Sequence, residues 1–219
     1  MSHPTTRMIG IFGIGGCGRS IMPVARERFA DDSDLKFVFV DDEIVHSNVN
    51  GHEVITLRAF AENISEMKSI GIAVADPSTR RVITKRCEDY NLEFLSLVSQ
   101  KAILMDNVSI ESGALISPFV TVTSNIKIGK HFHANLYSYV EHDCVIGDFV
   151  TFAPSVHCNG NVHIGDGAYI GTGAILRQGT PDKPLVIGAG AVVGMGAVVT
   201  RDVPPGVTVI GNPARIMTR

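Results

Sequence analysis

The chain has 219 residues, 45 % of them hydrophobic and 19 % charged, a balance that describes one large or two small globular domains rather than a disordered chain. Lys plus Arg number 19 against 22 Asp plus Glu, a net charge of −3, so no broad basic field is available for nucleic acid or an anionic membrane. The opening residues are polar, the apolar run behind them is short and ends in glycines, and Cys17, Cys87, Cys144 and Cys158 form no C-x-x-C pair; a cytoplasmic protein with reduced, packed thiols is expected, without signal peptide, spanning helix, disulfide or zinc.

In chain order, residues 8–12 read as a strand, 19–29 as a helix and 36–40 as a second strand. Residues 56–68 look helical, 71–75 form a third strand, 77–90 a helix and 93–98 a fourth strand. Asp76-Pro77 supports this phasing, with Asp as the N-cap and Pro at the first helical position. The β-α-β-α order predicts a small parallel, Rossmann-like sheet carrying helices over residues 1–100. Between its first strand and helix, Gly13-Ile14-Gly15-Gly16-Cys17-Gly18 satisfies G-x-G-x-x-G, and Asp41-Asp42 stand on the second strand. Alone, this is a dinucleotide fingerprint. About four strands make little more than one mononucleotide half, however, which suits a single nucleotide better than NAD.

Over residues 101–219 the helical period gives way to a period of six. Leu104, Ile110, Ile116, Val122, Ile128, Ala134, Val140, Ile146, Phe152, Cys158, Ile164, Ile170 and Leu176 form an unbroken apolar column. A second column, four residues further along each hexad, is apolar or small and includes Ser138 and Cys144. The first column resumes five residues out of phase at Ile187, so residues 179–184 are expected to be a loop thrown out from the repeating body. One inward aliphatic every six residues means short strands joined by corners, a parallel β-helix with three hexads to the coil.

Ile164-Gly165-Asp166-Gly167-Ala168-Tyr169-Ile170-Gly171-Thr172-Gly173-Ala174 and the run from Ile187 to Thr200 resemble the left-handed β-helix acyltransferases. The tail from Asp202 to Arg215 is similar to the usual ending of that superfamily. With the N-terminal sheet, the whole chain resembles the sialic-acid O-acetyltransferase-like family. Its members N-acetylate UDP-linked 4-amino-4,6-dideoxy sugars or GDP-perosamine. The resemblance implies a homotrimer that uses acetyl-CoA, a nucleotide-linked amino sugar as acceptor, and no metal.

It is most specific over residues 135–147, where His142 falls at the family's general base and Asp143 at its acidic partner. An attacking amine must shed a proton, and imidazole is the side chain suited to take one at neutral pH. Asp143 is shorter than the family's frequent Glu, which leaves Glu141 as a rival. Gly160 lies one 18-residue coil beyond His142 and is expected to stack on it. There it would leave room for the thioester and offer an N–H to the oxyanion, or serve simply as a corner. The resemblance further implies nucleotide-sugar contacts at Gly15, Gly16, Cys17, Asp41, Asp42, Ala75 and Asn135, and acetyl-CoA contacts at Thr151, Thr172 and Met195. Outward Tyr137, Tyr139 and Phe149 are expected on the packing faces. Three alternatives stay open at this point: acetylation of a sugar hydroxyl on the same scaffold, a zinc hydratase built on His142, His157 and His163, and a non-catalytic module that binds the sugar nucleotide without turnover.

Overall fold

A computed structural model describes residues 7–43, 45–63 and 67–218. The chain separates into two compact units, Met1–Leu97 and Val98–Arg219. Among the described residues no helix is long and apolar enough to cross a membrane.

In the first unit, β1 (Arg7–Phe12) is flanked in parallel by β2 (Leu35–Val40) and by β5 (Met67–Ile72). A hairpin of β3 (Asn48–Val49) and β4 (His52–Ile55) extends the β2 side, and β6 (Glu93–Phe94) the β5 side. The helices are α1 (Gly16–Arg28), α2 (Leu57–Ala61) and α3 (Pro77–Asp89). Asp76 caps α3 through Thr79 N at 2.7 Å, with Pro77 in the first turn as expected.

Two expectations need correction, and one element was not foreseen. The helix expected over 56–68 is only the five residues of α2, and the chain is already a strand by Met67; residues 64–66 lie outside those described. The strand expected at 71–75 is thus β5, four residues earlier. The hairpin went unread because Asn48-Val49-Asn50-Gly51 carries almost no apolar alternation. Its signal was the turn itself: Asn50 at φ 51° and Gly51 at φ 83° make the turn in which both central residues need positive φ.

In the second unit the hexads form a parallel β-helix of three sheets. Its stride is 18 residues: Leu115 pairs with His133, His133 with Thr151, and Thr151 with Tyr169. Across the expected insertion the stride becomes 23, with Val162 opposite Leu185, and Thr180 and Lys183 bond each other's backbones to close the loop. The apolar column stacks on the prism axis from Ile116 to Val199, every residue of it nearly or wholly buried. Burial of one such side chain is worth about 1.5–3 kcal/mol, so the column holds the coils together. In the second column, Ser138 and Cys144 serve as buried acceptors: Ser138 Oγ accepts from Val156 N at 3.1 Å, and Cys144 Sγ from Val162 N at 3.4 Å. The Ile-Gly pairs have a reason too. A Cβ on Gly129 or Gly147 would sit 2.3 Å from the carboxylate of Asp148 or Asp166, the side chains that accept Lys130 N and Asp148 N one coil below.

Candidate active site

In the first unit, the chain reverses its direction of growth at the carboxyl end of β1, between neighbours β2 and β5. Open α/β sheets bind ligands at such a switch point. The glycine loop lies there, and α1 begins earlier than expected, with Gly15 as N-cap and Gly16 and Cys17 in its first turn. Amides opening a 13-residue helix favour a phosphate. A Cβ on Gly15 or Gly16 would meet nothing within 4 Å, whereas one on Gly18 would lie 1.8 Å from Gly13 O. Gly18 therefore seats helix on strand, and Gly15 and Gly16 leave an open approach.

Asp41 accepts Ile14 N at 3.4 Å and Glu43 N at 3.1 Å, so it ties the second strand's end to the glycine loop. Asp42 is turned elsewhere: it pairs with Arg86 at 2.6 Å and accepts Leu57 N at 3.3 Å. Ala75 is exposed, and its carbonyl, with that of Val74, accepts from the buried Arg80. Burial pushes the Arg80 guanidinium down to about 10, still cationic at neutral pH. Burial raises the Cys17 thiol, only partly opposed by that cation, so Cys17 packs as a neutral thiol.

In the second unit, His142 and Asp143 occupy the corner between strands Tyr139–Val140 and Val145–Ile146. His142 Nδ1 lies 2.7 Å from Asp143 Oδ2, with the two side chains 44 % and 46 % exposed. Asp143 reaches the ring because it sits at φ 58°, which turns its side chain back along the corner. Glu141 instead accepts from Thr123 Oγ1 at 3.5 Å. The 18-residue stack holds: a Cβ on Gly160 would lie 2.6 Å from both Cε1 and Nε2 of His142. The space freed by this glycine is filled by the imidazole itself, a correction to the expectation of room for a thioester.

Tyr139 Oη donates to Asn159 Oδ1 at 3.0 Å, and Asn159 Nδ2 to Leu176 O at 2.8 Å. Burial and Glu141 raise the Tyr139 phenol, which keeps that proton in place. Tyr139 also stacks on His157, ring centroids 5.0 Å apart. Phe149 is 8 % exposed and stacks on His131, so it is not the outward aromatic expected. Among the described residues no three His, Cys, Asp or Glu side chains gather as a metal-ligand set. Asn135 Oδ1 accepts Leu136 N at 2.8 Å.

Thr172 and Met195 meet at one corner, both exposed, joined by Gly196 N to Thr172 O at 2.8 Å. Thr151 is not with them; it lies 3 % exposed on strand Thr151–Phe152. The reading of the sequence missed Asn125 and Asn107, which stand 18 and 36 residues before Asp143 on the same corner. The stride that found Gly160 would have found them.

Comparison with models of protein families finds no match. The chain is 47 % identical over 214 residues, 97 % of each protein, to the GDP-perosamine N-acetyltransferase of Escherichia coli O157:H7. Among solved structures, WeeI from Acinetobacter baumannii AYE is similar with a TM-score of 0.94 at 51 % identity, over 97 % of this chain and 100 % of that one. The acetyltransferase domain of PglB from Neisseria gonorrhoeae FA1090, in complex with acetyl coenzyme A, is similar with a TM-score of 0.84 at 30 % identity, over 96 % and 99 %. The second unit is accordingly a left-handed parallel β-helix. A glycine loop at a sheet's switch point, a His–Asp pair at a β-helix corner and full-length identity of this order lead to one conclusion: the chain belongs to the hexapeptide-repeat nucleotide-sugar N-acetyltransferases.

Proposed function

We propose that this acetyltransferase moves the acetyl group of acetyl-CoA to the 4-amino group of a GDP-linked 4-amino-4,6-dideoxy sugar, GDP-perosamine or a close isomer. Identity of 47 % along the whole of a GDP-perosamine N-acetyltransferase supports both the nucleotide and the sugar. The observation that carries the mechanism is the half-exposed His142 ring, with Nδ1 on Asp143 and Nε2 over a residue that has no side chain. With Nδ1–H donated to the carboxylate, Nε2 keeps its lone pair and takes a proton from the amine as nitrogen attacks the thioester carbon. Asp143 then stabilises the imidazolium. The C–S bond breaks as the tetrahedral intermediate collapses, and the proton passes from imidazolium to the departing thiolate. The Gly160 N–H, which has no acceptor among the described residues, is the candidate donor to the oxyanion.

In this reading the nucleotide lies on Gly15, Gly16, Cys17 and Asp41 beside Ala75, with Asn135 as a sugar contact. Asp42 acts from behind by holding α2 and α3, and Thr172 and Met195 line the path of acetyl-CoA. Thr151, being buried, contributes through its backbone. The enzyme works in the cytoplasm as a homotrimer, for which the stacked and exposed Phe119 and Tyr137, centroids 5.2 Å apart, supply an unfilled apolar contact. A monomer in light scattering at micromolar concentration would remove the trimer.

Thiol release from acetyl-CoA tests the function against GDP-, UDP- and dTDP-linked amino sugars and their hydroxyl analogues. Turnover at least tenfold faster with the GDP-amino sugar is expected, and equal rates with hydroxyl analogues would refute N-acetylation. Gly15→Val probes the nucleotide side. Its Cβ meets open space, so the fold is spared, but the branched side chain blocks the ligand's approach. KM for the sugar nucleotide should rise about tenfold or more, about 1.4 kcal/mol of binding, with that for acetyl-CoA little changed. Equal effects on both would mean the loop does not hold the acceptor.

A further inference from the structure

At the corner that carries Asp143, the residue held at positive φ recurs once per coil as Asn107, Asn125, Asp143 and Asn161, with φ of 56°, 59°, 58° and 56°. The other corners make the same conformation with Phe119, Tyr137, Ser155 and Gly173, and with Gly113, His131, Phe149 and Gly167. Left-handed backbone alone therefore does not call for amides here. The side chains are joined head to tail: Asn107 Nδ2 donates to Asn125 Oδ1 at 2.9 Å, and Asn125 Nδ2 donates to Asp143 Oδ1 at 3.3 Å. A carboxylate only accepts, so the Asn125 amide nitrogen must face Asp143, and its oxygen is left for Asn107. The chain of dipoles ends on Asp143, whose other oxygen meets His142 Nδ1.

We infer that Asn125 is a positioning residue for the His142–Asp143 pair. The terminal torsion of an aspartate is soft, and this one is exposed at a corner where water competes for both oxygens. With Oδ1 engaged by Asn125, the plane of the carboxylate is set so that Oδ2 points at the imidazole. The ring is thereby held in the tautomer and orientation that leave Nε2 free to accept a proton. This inference rests on the catalytic reading of His142 and Asp143. Because the rung is exposed, the effect should be modest.

Asn125→Gly keeps the positive φ without strain and deletes the amide. It should lower kcat threefold to tenfold with both KM values and the thermal midpoint little changed. Asn107→Gly removes an equivalent rung that does not touch Asp143, and should change kcat less than twofold. In an Asp143→Asn background, Asn125→Gly should cost nothing further, since the group it positions is gone. An equal loss of kcat from Asn107→Gly and Asn125→Gly, an undiminished loss in the Asp143→Asn background, or no loss at all would overturn the inference while leaving the His–Asp pair standing. If Asp143→Asn alone were as fast as wild type, the catalytic reading would fail, and the ladder's role with it.

Discussion

His142→Ala is expected to lower kcat by about 10²–10⁴, the usual yield of a positioned general base, which is roughly 3–5 kcal/mol of barrier. KM for either substrate should change little, because proton transfer belongs to the transition state and not to the ground state. His142 is half-exposed and outside the apolar column, so its removal leaves the packing of the coils untouched. A collapse of stability would therefore not explain the loss. His142→Asn should be nearly as damaging, since an amide cannot take the proton. If the amine binds already neutral and the imidazole only orients it, the variant's rate should recover as pH rises and the free amine grows. A His142→Ala enzyme within threefold of wild type at neutral pH would remove His142 from the mechanism.

Gly160→Ala should lower kcat by about 10²-fold, the order expected when a catalytic group is displaced by about 1 Å. The added methyl would occupy the place of the His142 ring, 2.6 Å from Nε2. Two neighbours can yield: the coil backbone, which is buried and bonded above and below, or a side chain half in solvent. The side chain yields, so the thermal midpoint should hardly move while the base swings out of line. The double variant separates this from any other effect at Gly160. Once the ring is absent in His142→Ala, the added methyl should cost little more. A full further loss of 10² in that background would point instead to the Gly160 N–H or to thioester access.

Much of this was legible in the sequence because a β-helix converts spacing directly into height. The period-six column located every coil, the five-residue phase slip located the loop closed by Thr180 and Lys183, and one stride placed Gly160 on His142. What stayed hidden was decided by side-chain direction, not by position. Asp143 was doubted for its length, yet left-handed backbone gives it the reach of a longer acid. Phe149 faces outward in a strict hexad count but turns onto His131. Asp42 follows the nucleotide fingerprint in sequence, while Arg86, 44 residues away, claims its carboxylate. In the first unit, the two-residue strand β3 was too short to show alternation, and the helix of α2 was carried on into the start of β5.

The constant stride also governs which genetic changes the enzyme can survive. His142 is matched to Gly160, and Asn125 to Asp143, by a count of 18 along the chain, so the corner keeps its arrangement only while that count is intact. Losing one codon between Asp143 and Gly160 would turn every later residue by a position, sending aliphatics to water and withdrawing the glycine from the imidazole. Losing one between Thr180 and Lys183 would shorten a loop whose two ends already stand in register. Lengthening and shortening are thus confined to such excursions. A few residues can be added there without cost to the register, whereas a single residue added or lost within a coil breaks it and a substitution does not.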